Sequence, residues 1–174
     1  MMEGMPLRRG HPQRLEPGPG QESVWDYPRP PLLERSTKRV EIRSGDVLLA
    51  GTGGAYRVLE TSHPPTWYLP ADSFAPGVLA PAGGRGSVCE WKGAAVYWDV
   101  VLPEGRVLPS EGWSYPRPTS AFVPITGHVA VYARTLECFV DGERVRPQPG
   151  GFYGGWVTDD VVGPYKGGSG SMGW

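Results

Sequence analysis

The sequence predicts an all-β domain, either a small barrel or a sheet folded over on itself, built from hairpins. Three observations carry this prediction. Helical periodicity is scarce, and short apolar runs alternate with turn signals along most of the chain. Seven Trp, eight Tyr and four Phe supply apolar surface for a core, although the 174 residues include 26 Gly and 20 Pro. These counts indicate a loop-rich globular domain with few short helices.

The first 21 residues differ in composition from the rest of the chain. Residues 1–21 are rich in Pro, Gly and Arg without a hydrophobic period, which predicts a disordered leader. Residues 22–174 are expected to form a single domain. Within it, residues 22–31 (ESVWDYPRPP) carry aromatic surface and three prolines, which predicts an extended arm across the domain. Residues 32–38 are expected to make a short helical turn.

Several short strands are predicted after residue 38. A hairpin is predicted around Gly45, because the alternating RVEIR is followed by Ser-Gly-Asp and then by the apolar VLLA. A second hairpin is predicted to turn at Asp141-Gly142. Between them, residues 55–60 and 94–102 predict strands, whereas the apolar run 125–132 fits either a strand or a short helix.

Residues 39–98 and 135–174 share a weak internal similarity. Each stretch has a hairpin with a glycine turn and, further on, an aromatic-Lys-Gly triplet at Lys92 or Lys166. Similarity of this kind arises when two related half-domains pack together. The hypothesis is an approximate two-fold that presents both lysines to one cleft. The alternative is coincidence in a chain rich in glycine and aromatic residues.

The charge and hydropathy patterns exclude several classes of partner. The net charge is −1 with both signs interspersed, so the chain lacks the basic face that nucleic acid or anionic lipid requires. No apolar run approaches the length of a membrane span or of a signal peptide, so a cytoplasmic protein is expected. Cys89 and Cys138 are far apart in sequence and are expected to be free thiols.

Five segments resemble, in order, the domain-of-unknown-function family numbered 427: ESVWDYPRPP, ETSHPPTWYLPADSF, CEWKGAAVYW, WSYPRP and GGFYGGWVTDDVVGPYKGGSGSMGW. The resemblance covers most of residues 22–174 and implies a β-tent-like fold; some collections label the family nucleotidyltransferase-like. The family's Cys-Pro-Phe-Lys-Gly type motif corresponds here to Cys89 through Gly93, with Glu90 in place of the proline. β-tent proteins usually hold zinc with paired Cys-x-x-Cys motifs, which this sequence lacks, so the resemblance implies no metal and no cofactor.

Lys92 and Lys166 are the first candidate functional residues, since each stands between an aromatic residue and a glycine. The glycine lets an anionic group approach both the ammonium and the main-chain N–H groups. The aromatic ring desolvates the ammonium in part, which favours pairing with an anion. Alternatively, each lysine only extends over an aromatic rim. The terminal glycine-rich run lacks the residue order of a P-loop.

Glu60 and Cys89 are the further candidates for chemistry. Glu60 ends a predicted strand and could act as an acid or base, or pair with a lysine. Cys89 stands three residues before Lys92, where a nearby cation favours a reactive thiolate. His63 precedes two prolines and is interpreted as a turn histidine. The histidines and cysteines are scattered without metal-ligand spacing, so no metal site is expected.

Nucleotidyl transfer would need a pair of carboxylates to hold Mg²⁺. The pair would have to be Asp159 with Asp160, or Asp72 with Asp99. Adjacent aspartates on a strand point to opposite faces, so they form a poor clamp. The transferase label therefore gains little support from these residues.

Aromatic residues and the two lysines make up the predicted ligand-binding set: Tyr68, Trp91, Lys92, Trp98, Trp113, Tyr153, Trp156 and Lys166. Apolar walls with a few polar groups are typical of small-molecule sites. The sequence therefore predicts a domain that binds a small anionic or nucleotide-like molecule, without nucleic-acid or membrane partners. Two alternatives stay open. One is an enzyme with Lys/Glu acid–base or Cys89 chemistry, nucleotidyltransferase-like or reductase-like; the other is a structural or interaction module whose aromatics are only core.

Overall fold

The computed structural model describes residues 12–174, whose regular structure is almost entirely β-strand. This confirms the all-β prediction. Residues 1–11 of the predicted leader lie outside the described residues. Residues 12–21 contain no strand, and the Arg14 guanidinium bonds the Asp26 carboxylate at 2.6 Å. In the described part of the chain, no helix has the length and apolar character needed to cross a bilayer.

Residues 12–174 contain sixteen strands and three short 3-10 helices. The helices are Val24–Asp26, Ala71–Ser73 and Ser120–Ile125. The strands are β1 (Glu22–Ser23), β2 (Leu32–Arg35), β3 (Val40–Ser44), β4 (Val47–Thr52), β5 (Tyr56–Leu59), β6 (Thr66–Pro70), β7 (Leu79–Pro81), β8 (Ser87–Cys89), β9 (Gly93–Val101), β10 (Val107–Ser114), β11 (His128–Val131), β12 (Glu137–Val140), β13 (Glu143–Arg144), β14 (Arg146–Pro147), β15 (Trp156–Val157) and β16 (Val161–Val162).

Two sheets form the body of the fold. The larger sheet has the order β2-β5-β6-β11-β10-β9-β7, with β8 paired to β9, and all its pairings are antiparallel. The smaller sheet has the order β13-β12-β3-β4. Two further pairs are parallel β1-β16 and antiparallel β14-β15. The predicted arm thus contributes β1, which pairs with a strand near the C-terminal end of the sequence.

The larger sheet buries both of its faces, because successive strand residues point to opposite sides. Trp67, Leu69 and Val129 belong to the main core, which also contains residues of the smaller sheet. Tyr68 and Ala130, one position along, belong to a second cluster rich in aromatic residues. The sheet therefore packs against the main core on one face and carries the aromatic cluster on the other.

The predicted hairpins are confirmed. β3 and β4 pair across the turn at Gly45, and β12 and β13 pair across Asp141-Gly142. Both turn residues of the second hairpin have positive φ, 47° and 80°, as a two-residue hairpin turn requires. The apolar run 125–132 contains the last residue of a 3-10 helix and then strand β11.

The helical turn expected at residues 32–38 is wrong. Four of these residues form β2, which pairs antiparallel with β5 and places Leu33 opposite Val58. A short segment gains too few local hydrogen bonds to hold a helix, so a sheet edge that satisfies its backbone overrides the local preference.

The internal similarity has a partial structural counterpart. The two hairpins that begin the similar stretches lie side by side, because β3 pairs antiparallel with β12. The two Lys-Gly segments, however, lie in different settings. Lys92 directly precedes the nine-residue strand β9, whereas Lys166 forms an isolated bridge with Gly168.

Candidate functional site

An open cavity of about 440 Å³ lies on the aromatic face of the larger sheet. Its floor comes from neighbouring strands, with Val58 on β5, Tyr68 on β6, Trp113 on β10 and Tyr97 on β9. The Trp113 indole N–H donates to the Tyr68 hydroxyl at 3.2 Å. The volume falls within the roughly 300–1,000 Å³ of small-molecule sites. The floor residues share one side of the sheet because side chains alternate between its two faces along each strand.

Lys92 lies at one side of this cavity. Its main-chain oxygen accepts the Thr119 N–H at 3.1 Å, which ties the β8–β9 turn to the segment before the third 3-10 helix. Its ammonium lies 5.6 Å from the ring centroid of Tyr115 and 5.9 Å from that of Phe122. Among residues 12–174, Lys38 is the one lysine in an ion pair, so Lys92 faces the cavity without a carboxylate partner.

Lys166 lies 74 residues further along the sequence and lines the same cavity from a second wall, formed by residues 148, 151–154 and 166. Its N–H donates to the Ser62 oxygen at 2.8 Å. Its ammonium donates to the main-chain oxygen of Trp174 at 3.0 Å and lies 5.7 Å from the ring centroid of Tyr153. The Trp174 ring packs edge-on against Trp25, with centroids 5.7 Å apart. The terminal tryptophan is therefore packed against the domain.

Two glycine-rich loops hold the Lys166 wall together by direct backbone contact. Gly150 has φ +91° and Gly167 has φ +128°, both in the region that disfavours other residues. A Cβ on Gly150 would collide with the Gly167 carbonyl, and one on Gly167 would collide with the Pro149 carbonyl. The loops, residues 149–155 and 166–170, can approach this closely only because side chains are absent.

Gln148 joins these loops to His63. Its Oε1 accepts the Gly155 N–H at 3.0 Å, and its Nε2 donates to the Lys166 carbonyl at 2.8 Å. The two main-chain groups therefore orient the amide. With Nε2 as the donor, the 3.0 Å contact to His63 Nδ1 makes that nitrogen an acceptor.

His63 is consequently a neutral ring with its proton on Nε2, which lies 3.4 Å from Glu60 Oε2. Burial is the main cause that lowers the pKa of His63 from 6.5 to about 4, followed by the cations Lys166, Arg29 and Lys92. Gln148 occupies Nδ1 and Nε2 carries the proton, so His63 shapes the cavity without offering a free base.

Tyrosine hydroxyls and one thiol complete the polar lining. Burial, followed by the neighbouring Tyr68 and Cys89, raises the pKa of Tyr115 far above 10.0. Burial likewise raises the pKa of Tyr68. Both phenols therefore stay protonated at any physiological pH. The Cys89 thiol is free and partly exposed at the cavity, whereas Cys138 is fully buried in the core, as expected of its strand position.

The structure brings together most of the predicted site. Seven candidates line the cavity: Glu60, Tyr68, Cys89, Lys92, Trp113, Tyr153 and Lys166. Three others lie elsewhere. Trp156 is fully buried and stacks on Trp67, Trp98 packs against the main core, and Trp91 packs beside the aromatic cluster without lining the cavity. For Trp156 the prediction of ligand contact is corrected to a core role, because its indole N–H donates to the Val131 carbonyl.

The candidate aspartates do not contribute to the cavity. Asp160 pairs with Lys38 at 2.8 Å, and Asp159 pairs with Arg146 at 2.8 Å. Asp99 accepts the Ser110 N–H at 2.8 Å. Within residues 12–174, no group of three His, Cys, Asp or Glu side chains could hold a metal ion.

Sequence reasoning missed His63, Gln148, Tyr115 and Tyr132 as cavity residues. Alternation from Trp113 would have found Tyr115, two positions on, since both point to the same side. The pairing of His63 with Gln148 has no sequence signal. Their 85-residue separation closes only when the glycine loops pack.

A family model described as "Domain of unknown function (DUF427)", named NTP_transf_9, matches residues 32–145. No curated protein matches the chain. The matched span contains Glu60, His63 and Lys92 and ends before Gln148 and Lys166. The second wall of the cavity therefore comes from residues outside the matched span.

Proposed function

The chain belongs to the DUF427 family, and we propose that it binds a small, flat, anionic molecule, nucleotide-like in character, in the cavity on the aromatic face. The observation that carries this proposal is the Lys92 ammonium, which faces the cavity without a carboxylate partner among residues 12–174. A cation held over aromatic rings and partly removed from water gains most from an anion that enters beside it.

The remaining charges of the cavity also favour a negatively charged ligand. Lys166 adds a second ammonium. Glu60 is the one carboxylate in the lining, and Arg29 and His63 each lie 3.4 Å from its Oε2. Two ammonium groups and one carboxylate already held by Arg29 leave the cavity net positive, which favours anionic ligands by direct attraction.

The walls support a flat ligand body. Tyr68, Trp113, Tyr115, Tyr132 and Tyr153 present ring surface around the cavity. Aromatic walls favour planar ligands, because ring faces stack with little loss of contact area. Convergence of the lysines and Glu60 on one cavity favours this function over that of a structural module, in which these charges would be expected to face solvent on separate surfaces.

The test is a titration with benzoate, phenyl phosphate and adenosine 5′-monophosphate, each followed by calorimetry and thermal shift. At least one acid should bind the wild type, and benzamide, which has the shape of benzoate without its charge, should not. Lys92→Met should weaken binding about tenfold or more, as expected for loss of a charge-assisted contact. Arg85→Gln, an exposed cation outside the cavity, is the matched control and should bind normally. Equal binding by benzamide, or no binding by any acid, would overturn the proposal.

A further inference from the structure

We infer that the ligand is a planar heteroaromatic acid that carries an N–H donor at the end remote from its acidic group. The inference rests on the proposed function and names the chemical class of molecule that the same cavity accepts. In this arrangement Lys92 binds the acidic group, the aromatic walls hold the ring, and Glu60 receives the N–H.

Glu60 supplies the first step of the argument. Its two oxygens differ, because Arg29 Nη2 and His63 Nε2 both approach Oε2, each at 3.4 Å. Oε1 receives no hydrogen bond from residues 12–174, although the side chain is only 22% exposed and lines the cavity. A partly buried carboxylate oxygen needs a hydrogen-bond donor, because an acceptor that loses its water without gaining a donor costs free energy.

The surroundings of Glu60 do not provide that donor. Arg29 Nη2 also donates to the Thr61 carbonyl at 2.9 Å, which fixes the guanidinium on the Oε2 side. His63 Nε2 lies 3.4 Å from Oε2 rather than beside Oε1, and its Nδ1 is occupied by Gln148. The donor for Oε1 must therefore come from solvent in the empty cavity and from the ligand in the filled one.

The aromatic side of the cavity indicates that this donor belongs to a ring. His63, Tyr153 and Phe152 form an edge-to-face series, with centroids 4.7 Å apart in the first pair and 4.9 Å in the second. The series runs from His63, beside Glu60, to Phe152, which lines the cavity and is 76% exposed. Ring surface of this kind favours a planar ligand that packs against it. A ring N–H on such a ligand is the donor that the inference assigns to Oε1.

Lys92 requires an acidic group on the ligand that carries this N–H donor. Its ammonium meets the rings of Tyr115 and Phe122, whereas the ammonium of Lys166 gives one of its three N–H groups to the Trp174 carbonyl. Lys92, whose ammonium makes no hydrogen bond to residues 12–174, and the open oxygen of Glu60 together call for a ligand with an acid at one end and a donor at the other.

Two acids of matched shape and charge test this inference. Indole-5-carboxylate has the ring N–H, and benzofuran-5-carboxylate replaces it with an oxygen acceptor. Calorimetric titration of the wild-type protein should give a dissociation constant about tenfold lower for the indole acid, the effect of one hydrogen bond to a charged group. Indole-5-carboxamide, which has the N–H but no charge, should bind much more weakly than either acid.

Glu60→Gln should shrink the preference for the indole acid several-fold while leaving benzofuran-5-carboxylate bound, which also shows that the variant folds. Glu90→Gln, an exposed neighbour of Cys89 outside the cavity, should keep the full preference. Equal affinities of the two acids for the wild type would overturn this inference and leave anion binding intact. A preference that survives in Glu60→Gln would overturn the role of Glu60. Failure of both acids to bind would count against the proposed function itself.

Discussion

The two lysine walls of the cavity look alike in sequence and differ in how they are held. Lys166 is fixed through its N–H, its carbonyl and its ammonium, which bond Ser62, Gln148 and Trp174. Among residues 12–174, the bond that fixes Lys92 is the one to its carbonyl, and its ammonium meets aromatic rings. Lys166 therefore contributes to the stability of the fold, whereas the Lys92 ammonium makes no hydrogen bond to residues 12–174.

Gly150→Ala should break the Lys166 wall with the largest effect. The new Cβ would collide with the Gly167 backbone at a residue whose φ is +91°. Backbone strain and overpacking together should lower the free energy of unfolding by about 4 kcal/mol, measured by urea denaturation. Gly168→Ala is the control, since a Cβ there meets open space and should change stability little. If both variants were equally stable, the two loops would not be holding each other.

The neutral state of His63 should make stability depend on pH. The folded-state pKa of about 4 is lower than the unfolded value near 6.5, so the unfolded chain takes up a proton first as the pH falls. The part of the free energy of unfolding that arises from neutral His63 is therefore complete above pH 6.5. It is lost between pH 6.5 and 4 and amounts to about 3 kcal/mol at most. His63→Gln should show a correspondingly smaller loss of stability over this range in denaturation at several pH values.

Removal of either lysine should raise the pKa of His63, by an amount that differs between the two lysines. Lys166 is the larger of the two lysine contributions that lower the pKa of His63. Lys166→Met should therefore raise the pKa of His63, followed by NMR of the imidazole signals, more than Lys92→Met does. Lys166→Met should also cost about 1 kcal/mol of stability through the lost hydrogen bond to Trp174, and Lys92→Met should cost less. The reverse order in either measurement would contradict the different roles of the two walls.

Local sequence patterns specified two hairpins and the strands that cover most of residues 55–60 and 94–102. Alternation in RVEIR and the Asp141-Gly142 turn specify two hairpins, because side-chain period and permitted φ are local properties. Local pattern was insufficient for residues 32–38, where pairing with β5 replaced the expected helical turn with strand β2.

Which polar groups come together at the cavity depends on the tertiary structure and not on local sequence. Glu60, Lys92 and Lys166 converge because non-adjacent strands share a sheet and because two glycine loops pack without side chains between them. The Gln148 amide that keeps His63 neutral reaches it across 85 residues. Trp156 and Tyr153 are both aromatic residues in the same glycine-rich segment, yet one is core and the other lines the cavity. Their difference is set by burial against distant strands, a property that neighbouring residues in the sequence do not encode.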